Sequence, residues 1–242
     1  MNKRTLLLGL ACAAAVMGSP VLSQTRSAEL SFTGQPVGVV SDGTPYVVSG
    51  YGNARFGMTA EQVRAVIATD FQQSVVITKG DVDSISTANA LGIVVDNLAP
   101  GPGSATVTYV FDTRSKRLIA VNVYWIATGI ATRQQQSQLT TAATQLTARL
   151  LAQDWPFMQV SRGFVVAPGT LVVFAGQDGL GAGVEVRLNG VPFKLEKRRA
   201  KKGDTPLSSL PPGPATLLYS VVANVSNPDS LRSPEGAPTT PN

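Results

Sequence analysis

The chain has 242 residues, with 20 basic and 15 acidic side chains, a formal net charge of +5, no histidine and one cysteine, Cys12. The missing histidine removes the usual near-neutral acid/base, the usual activator of a serine nucleophile and the commonest metal ligand. A mild basic excess does not point to nucleic acid, and the length suits one domain or two small ones with a real core.

The chain opens MNKRTLLLGLACAAAVMGSPVLSQ, which has the parts of a secretory signal peptide: basic Lys3 and Arg4, a mostly apolar or small run from Thr5, then Gly18-Ser19-Pro20. The apolar run falls short of the roughly 20 residues that span a bilayer. Cleavage near Ser23 is therefore expected, giving a periplasmic or secreted protein. Loss of the signal peptide 1–23 removes Lys3 and Arg4 and no acid, so the charge falls to +3 and 219 residues remain. That mature chain has no cysteine, hence no disulfide and no thiolate metal site. Gly9-Leu10-Ala11-Cys12 also approximates a lipoprotein box, so a lipidated Cys12 stays open as the alternative.

Residues 24–50 are rich in Ser, Gly, Thr and Val and read as a loose N-terminal lead-in with one β-like patch, Pro45 to Val48. The stretch FGMTAEQV then starts a helix. Thr59 and Gln62 have the spacing of a capping box, and Met58 with Val63 that of a hydrophobic staple. Val63, Val66 and Ile67 form one apolar stripe that predicts a helix to about Asp70.

After SVVIT and LGIVV comes SATVTYVFDTRSKRLIAVNVYW, in which two β-rich runs flank a five-residue hairpin loop, Asp112 to Lys116. Pairing Phe111 with Arg117 sets Tyr109 opposite Ile119 and Val107 opposite Val121. Tyr109, Phe111 and Trp125 then lie on a core side, and Thr106, Thr108, Asn122 and Tyr124 on a milder face. A second helix is predicted in TRQQQSQLTTAATQLTARLLAQDW, capped by Thr132 and Gln135, with Leu139, Ala143, Leu146 and Leu150 inward. Four β candidates follow, at Met158 to Val166, Thr170 to Ala175, Gly183 to Asn189 and Ala215 to Val222. Strict alternation in the third leaves Glu185 and Arg187 facing out.

This order predicts an α+β fold: one or more antiparallel sheets with helices on one face, and room for two tandem α-β4 units, 51–127 and 128–226. Asp70-Phe71 and Asp154-Trp155 close the helices alike, and a V-x-x-V-F run at Val107 to Phe111 recurs loosely at Thr170 to Phe174. A basic and proline-rich loop, 192–214, interrupts the second unit, and 227–242 reads as a disordered tail.

Gly57, Thr59, Gln62 and Val63 resemble the helix-opening motif of SmpA/OmlA-type outer-membrane assembly lipoproteins. The duplicated arrangement is similar to that of β-lactamase-inhibitor-protein-like modules; that resemblance implies helices on one sheet face and a protein partner on the other. ARFGMTAEQVRAVI, ATVTYVFDTRSKRLIAVNVYW and LLYSVVANVSNPD together resemble a family of uncharacterised exported bacterial proteins, which implies export and no activity.

Candidate contact residues for a partner, another envelope protein, are Thr106, Thr108, Asn122, Tyr124, Glu185 and Arg187. Lys197, Arg198, Arg199, Lys201 and Lys202 form a basic run suited to an anionic membrane surface, or to a solvated loop guarding a sheet edge. Asp81 and Asp83 lack the further ligands of a calcium loop, so no metal or cofactor is expected. The glycine-rich stretch Gly176 to Gly181 reads as a hairpin connection, not a phosphate loop. The leading functional expectation is an exported, non-enzymatic protein-interaction module of the cell envelope. Its rivals are a carrier of lipids or small hydrophobes and a histidine-free hydrolase; Ser115 and Lys116 are adjacent but sit inside a turn.

Overall fold

The structure is a computed structural model that describes residues 31–32, 36–37, 44–71, 76–78, 89–195 and 214–231. The signal-peptide region, Asp81, Asp83, the basic run and the last residues of the tail lie outside the described residues.

Two helices stand where the caps put them. In α1 (Ala60–Asp70) Thr59 accepts the Gln62 N–H and the Gln62 side chain accepts the Thr59 N–H; Thr132 and Gln135 repeat that exchange at α2 (Arg133–Leu151). The strands are β1 (Ser31–Phe32), β2 (Pro36–Val37), β3 (Gly50–Tyr51), β4 (Ala54–Arg55), β5 (Val76–Thr78), β6 (Ala90–Val95), β7 (Ala105–Phe111) and β8 (Leu118–Ile126), then β9 (Val160–Ala167), β10 (Thr170–Gln177), β11 (Gly183–Asn189), β12 (Lys194–Leu195) and β13 (Thr216–Val222). One nine-stranded antiparallel sheet runs in the order β2-β9-β10-β11-β13-β8-β7-β6-β5. β3 pairs β4 as a small hairpin, and β1 pairs β12 in parallel. The fold is α+β, and the strands that follow each helix share a single sheet, joined where β8 pairs β13.

One face of this sheet carries the core. Val63 and Ile67 of α1, and Leu139, Ala143, Leu146 and Leu150 of α2, join one cluster with Val107, Val123, Trp125, Leu171, Val186 and Leu217. α2 packs across β10, β11 and β13. Tyr109, Phe111 and Trp125 are all buried, as their side of the hairpin requires.

The register differs from expectation by two residues. Val107 stands opposite Val123, and Tyr109 opposite Val121. The turn draws Arg117 into pairing with Asp112, whose N–H donates to the Arg117 carbonyl, which moves the register by one. A bulge between Val110 and Phe111, met by the extra residue Ile119, moves it by one more. Two single-residue offsets restore the parity, so side chains beyond the bulge keep their expected faces, while next to the turn Leu118 and not Ile119 joins the core cluster.

Two further readings change. Residues 44–50, taken as part of a loose lead-in, are tied to distant chain: the Tyr46 N–H donates to the Asp154 carbonyl at 2.7 Å, and the Val48 N–H to Asp178 Oδ2 at 2.9 Å. The segment has no periodicity because its partners lie outside it. The V-x-x-V-F recurrence falls on β7, third of the sheet strands after α1, and on β10, second of those after α2, so it does not mark corresponding strands.

Candidate functional site

The face turned away from the helices is read off the pairings. Cross-strand neighbours form ranks that run across the sheet. A central rank joins Ser161, Ala175, Glu185, Ser220, Asn122 and Thr108. On one side lies a bulkier rank, Phe164, Val172, Arg187, Leu218, Tyr124 and Thr106. On the other side Gln177, Gly183, Val222, Ala120 and Val110 form a third. All six candidate contact residues therefore share one face. Thr106, Thr108, Asn122 and Tyr124 are half-buried on β7 and β8; Glu185 and Arg187 are half-buried on β11.

The two parts of this face differ chemically. Around β7 and β8 the polar groups are uncharged, and the Ser220 hydroxyl donates to Asn122 Oδ1 at 2.7 Å across the β8–β13 seam. Around β9, β10, β11 and β13 the surface sinks into a groove of about 490 Å³, lined by Met158, Gln159, Ser161, Ala175, Gln177, Glu185, Arg187, Leu218, Ser220, Val222, Val225 and Pro228 among others. Arg187 Nε donates to Glu185 Oε1 at 2.5 Å, so the two charges on the groove wall compensate each other.

The groove rim holds residues that carry no sequence signal. Met158 adopts a left-handed backbone (φ 63°), uncommon for a bulky side chain. Val225 leans over Gly183 so closely that a β-carbon there would meet its Cγ2. Asp178 holds up the adjoining turn: its buried carboxylate accepts the N–H groups of Val48, Leu180 and Ala182. The glycine-rich stretch is a turn between β10 and β11, with Gly181 at φ 90°. The aspartate at its centre was the available clue to that support. Phe157 and Leu180 are both exposed.

On the covered face, burial raises the pKa of the Tyr46, Tyr51, Tyr109 and Tyr219 hydroxyls above the ordinary tyrosine value. Asp178 adds to the effect at Tyr46, and Asp70 at Tyr51 and Tyr109. These groups belong to the core cluster or pack against it, and none of them lines the groove. Lys197, Arg198, Arg199, Lys201 and Lys202 lie outside the described residues, so the structure neither joins them to this face nor separates them from it. Comparison with known proteins finds no matching family model, no matching curated protein and no matching solved structure.

Proposed function

We propose that the chain is an exported, non-enzymatic protein-interaction module of the cell envelope, and that the sheet face turned away from the helices is its docking surface for another envelope protein. The observation that carries this reading is the asymmetry of the sheet. Its helix side is a continuous apolar core, whereas the opposite side mixes Thr106, Thr108, Asn122, Tyr124 and Ser220 with Phe164, Val172, Leu218 and Val222, with no helix over them among the described residues. A surface of that composition, mixed polar and apolar with few charges, is typical of non-obligate contacts.

The same proposal takes the two sets of elements as tandem α-β4 units. Each helix is followed by four strands of the large sheet, β5 to β8 and then β9, β10, β11 and β13, and the last strand of each set meets the other. Likeness to the SmpA/OmlA-type and β-lactamase-inhibitor-protein-like modules belongs to this proposal. So does periplasmic or secreted location, which rests on residues 1–23 and is tested by N-terminal sequencing of the exported product: a start near Gln24 is expected. An anionic membrane surface is a second contact proposed from the charge of the run from Lys197 to Lys202.

The docking test is crosslinked affinity capture from solubilised envelope, with the tagged full-length chain and two variants. Thr108→Arg with Asn122→Arg places two bulky charges in the central rank, and Arg149→Glu changes an exposed position on α2. A partner lost with the first and kept with the second supports the face. A partner retained by the double variant removes it.

A further inference from the structure

We propose that the groove over β9, β10, β11 and β13 binds a single-chain amphiphile with a zwitterionic head, its acidic group on Arg187 and its ammonium on Glu185. The site adjoins the Asn122 and Thr108 region through Ser220, which lines the groove and donates to Asn122, but it does not need a protein partner.

Three observations lead there. The first is charge. Arg187 gives only Nε to Glu185, and Glu185 takes that bond on Oε1. Among the described residues, the terminal guanidinium nitrogens and Glu185 Oε2 make no other hydrogen bond. Both side chains are partly open, 40% and 29% exposed. A neutral pair with a donor edge and an acceptor to spare among the described residues fits a head that carries both charges. An anion alone would face the Glu185 carboxylate, and a cation alone the guanidinium.

The second observation is the polarity gradient along the strands. From Arg187 to Gly183 the chain advances four residues, about 13 Å. Over that distance the lining changes from Arg187 beside Leu218, past Glu185, Ser161 and Ser220, to Val222, Val225, Met158 and Pro228, with the uncharged amides Gln159 and Gln177 among them. A head held at the charged end thus directs its tail to the less polar end of the groove. The third is size. About 490 Å³ is in the lower half of the range for sites that hold one small ligand, which suits one chain rather than two.

The test is titration calorimetry of the full chain, with native mass spectrometry for stoichiometry, all ligands below their micelle-forming concentration. The probes are lysophosphatidylethanolamine, lysophosphatidylglycerol and free phosphoethanolamine. One equivalent of the zwitterionic lysolipid is expected to bind, at least about tenfold more tightly than the anionic one, with free phosphoethanolamine far weaker than either. Glu185→Gln should erase the preference, and Arg187→Gln should weaken both lysolipids by about tenfold or more. Ala175→Trp should fill the groove and abolish binding, and Val222→Arg serves the same purpose if the tryptophan variant does not fold. Absence of saturable lysophosphatidylethanolamine binding, equal affinity for the two lysolipids in the parent chain, a preference unchanged by Glu185→Gln, or full binding by a folded blocking variant would each overturn the assignment.

Discussion

Two tryptophans anchor different regions of the same core by the same means. Trp125 ends β8 on the covered face, gives its indole N–H to the Leu98 carbonyl at 2.9 Å, and lies against Gly101, where a β-carbon would run into the ring. Trp155 follows α2, gives its N–H to the Leu150 carbonyl at 2.6 Å, and lies against Gly176, where a β-carbon would come 2.8 Å from the ring. Their neighbours differ. Trp125 secures the loop between β6 and β7, close to it in the sheet. Trp155 meets the Tyr46 ring edge-on at 4.8 Å and Phe174 at 5.5 Å, and so ties the segment before β3 to β10. One is a local clamp and the other a long-range one, and only the local clamp falls within a periodic pattern.

The comparison predicts the largest effects at the rings. Trp155→Ala and Trp125→Ala should each lower stability by about 3–5 kcal/mol, read as a shift in the urea midpoint. The distinguishing measurement is amide exchange at Val48: Trp155→Ala should expose that N–H through opening of 44–48, while Trp125→Ala should leave it protected until global unfolding. Equal protection losses in both variants would break the distinction between local and long-range clamp.

Next in size is Asp178, which reinforces the Trp155 region by accepting three backbone N–H groups from two segments. Asp178→Ala leaves the Val48 and Ala182 donors buried without it, at a cost of about 2–3 kcal/mol in urea titration. Among the described residues, no side chain plays that part near Trp125. Smaller again are the two glycines: Gly101→Ala and Gly176→Ala push a methyl into an indole and should cost about 1–3 kcal/mol each. A near-neutral melting temperature for either variant would mean that the ring has room to move.

The same contrast explains how much could be read in advance. Both helices, their caps and the faces of β7, β8 and β11 are local regularities, encoded at spacings of two, three and four residues, and the α+β class follows from their order. The face of Thr106, Thr108, Asn122 and Tyr124 was legible because parity survives a two-residue slip. The register itself was not, since a bulge at Ile119 has no signature among β-branched neighbours. Most of the groove was equally silent. Glu185 and Arg187 stand out by alternation, but Met158, Gln159, Val225 and Pro228 come from connections that converge only when β9 and β13 take their places in the sheet.

The smallest effect sharpens the comparison at a second pair of residues, the turn aspartates. Like Asp178, Asp112 supports a turn by accepting backbone N–H groups, here from Ser115 and Arg114, at 2.6 and 2.7 Å, but it does so within its own hairpin. Those bonds, with Ser115 contributing most, hold its carboxyl below the ordinary aspartate value. A group whose pKa is lower in the folded state stabilises fully above its unfolded value, near 3.9, and that contribution is lost as pH falls through the folded value. Melting temperature followed from pH 5 to pH 2.5 should therefore fall less steeply for Asp112→Asn than for the parent, with the two profiles parallel above about pH 5. Superimposable profiles across the acid range would mean that the bonds to Ser115 and Arg114 do not favour the ionised carboxylate. In that case the local turn would stand on backbone geometry alone, with Lys116 in the left-handed region (φ 55°) closing it.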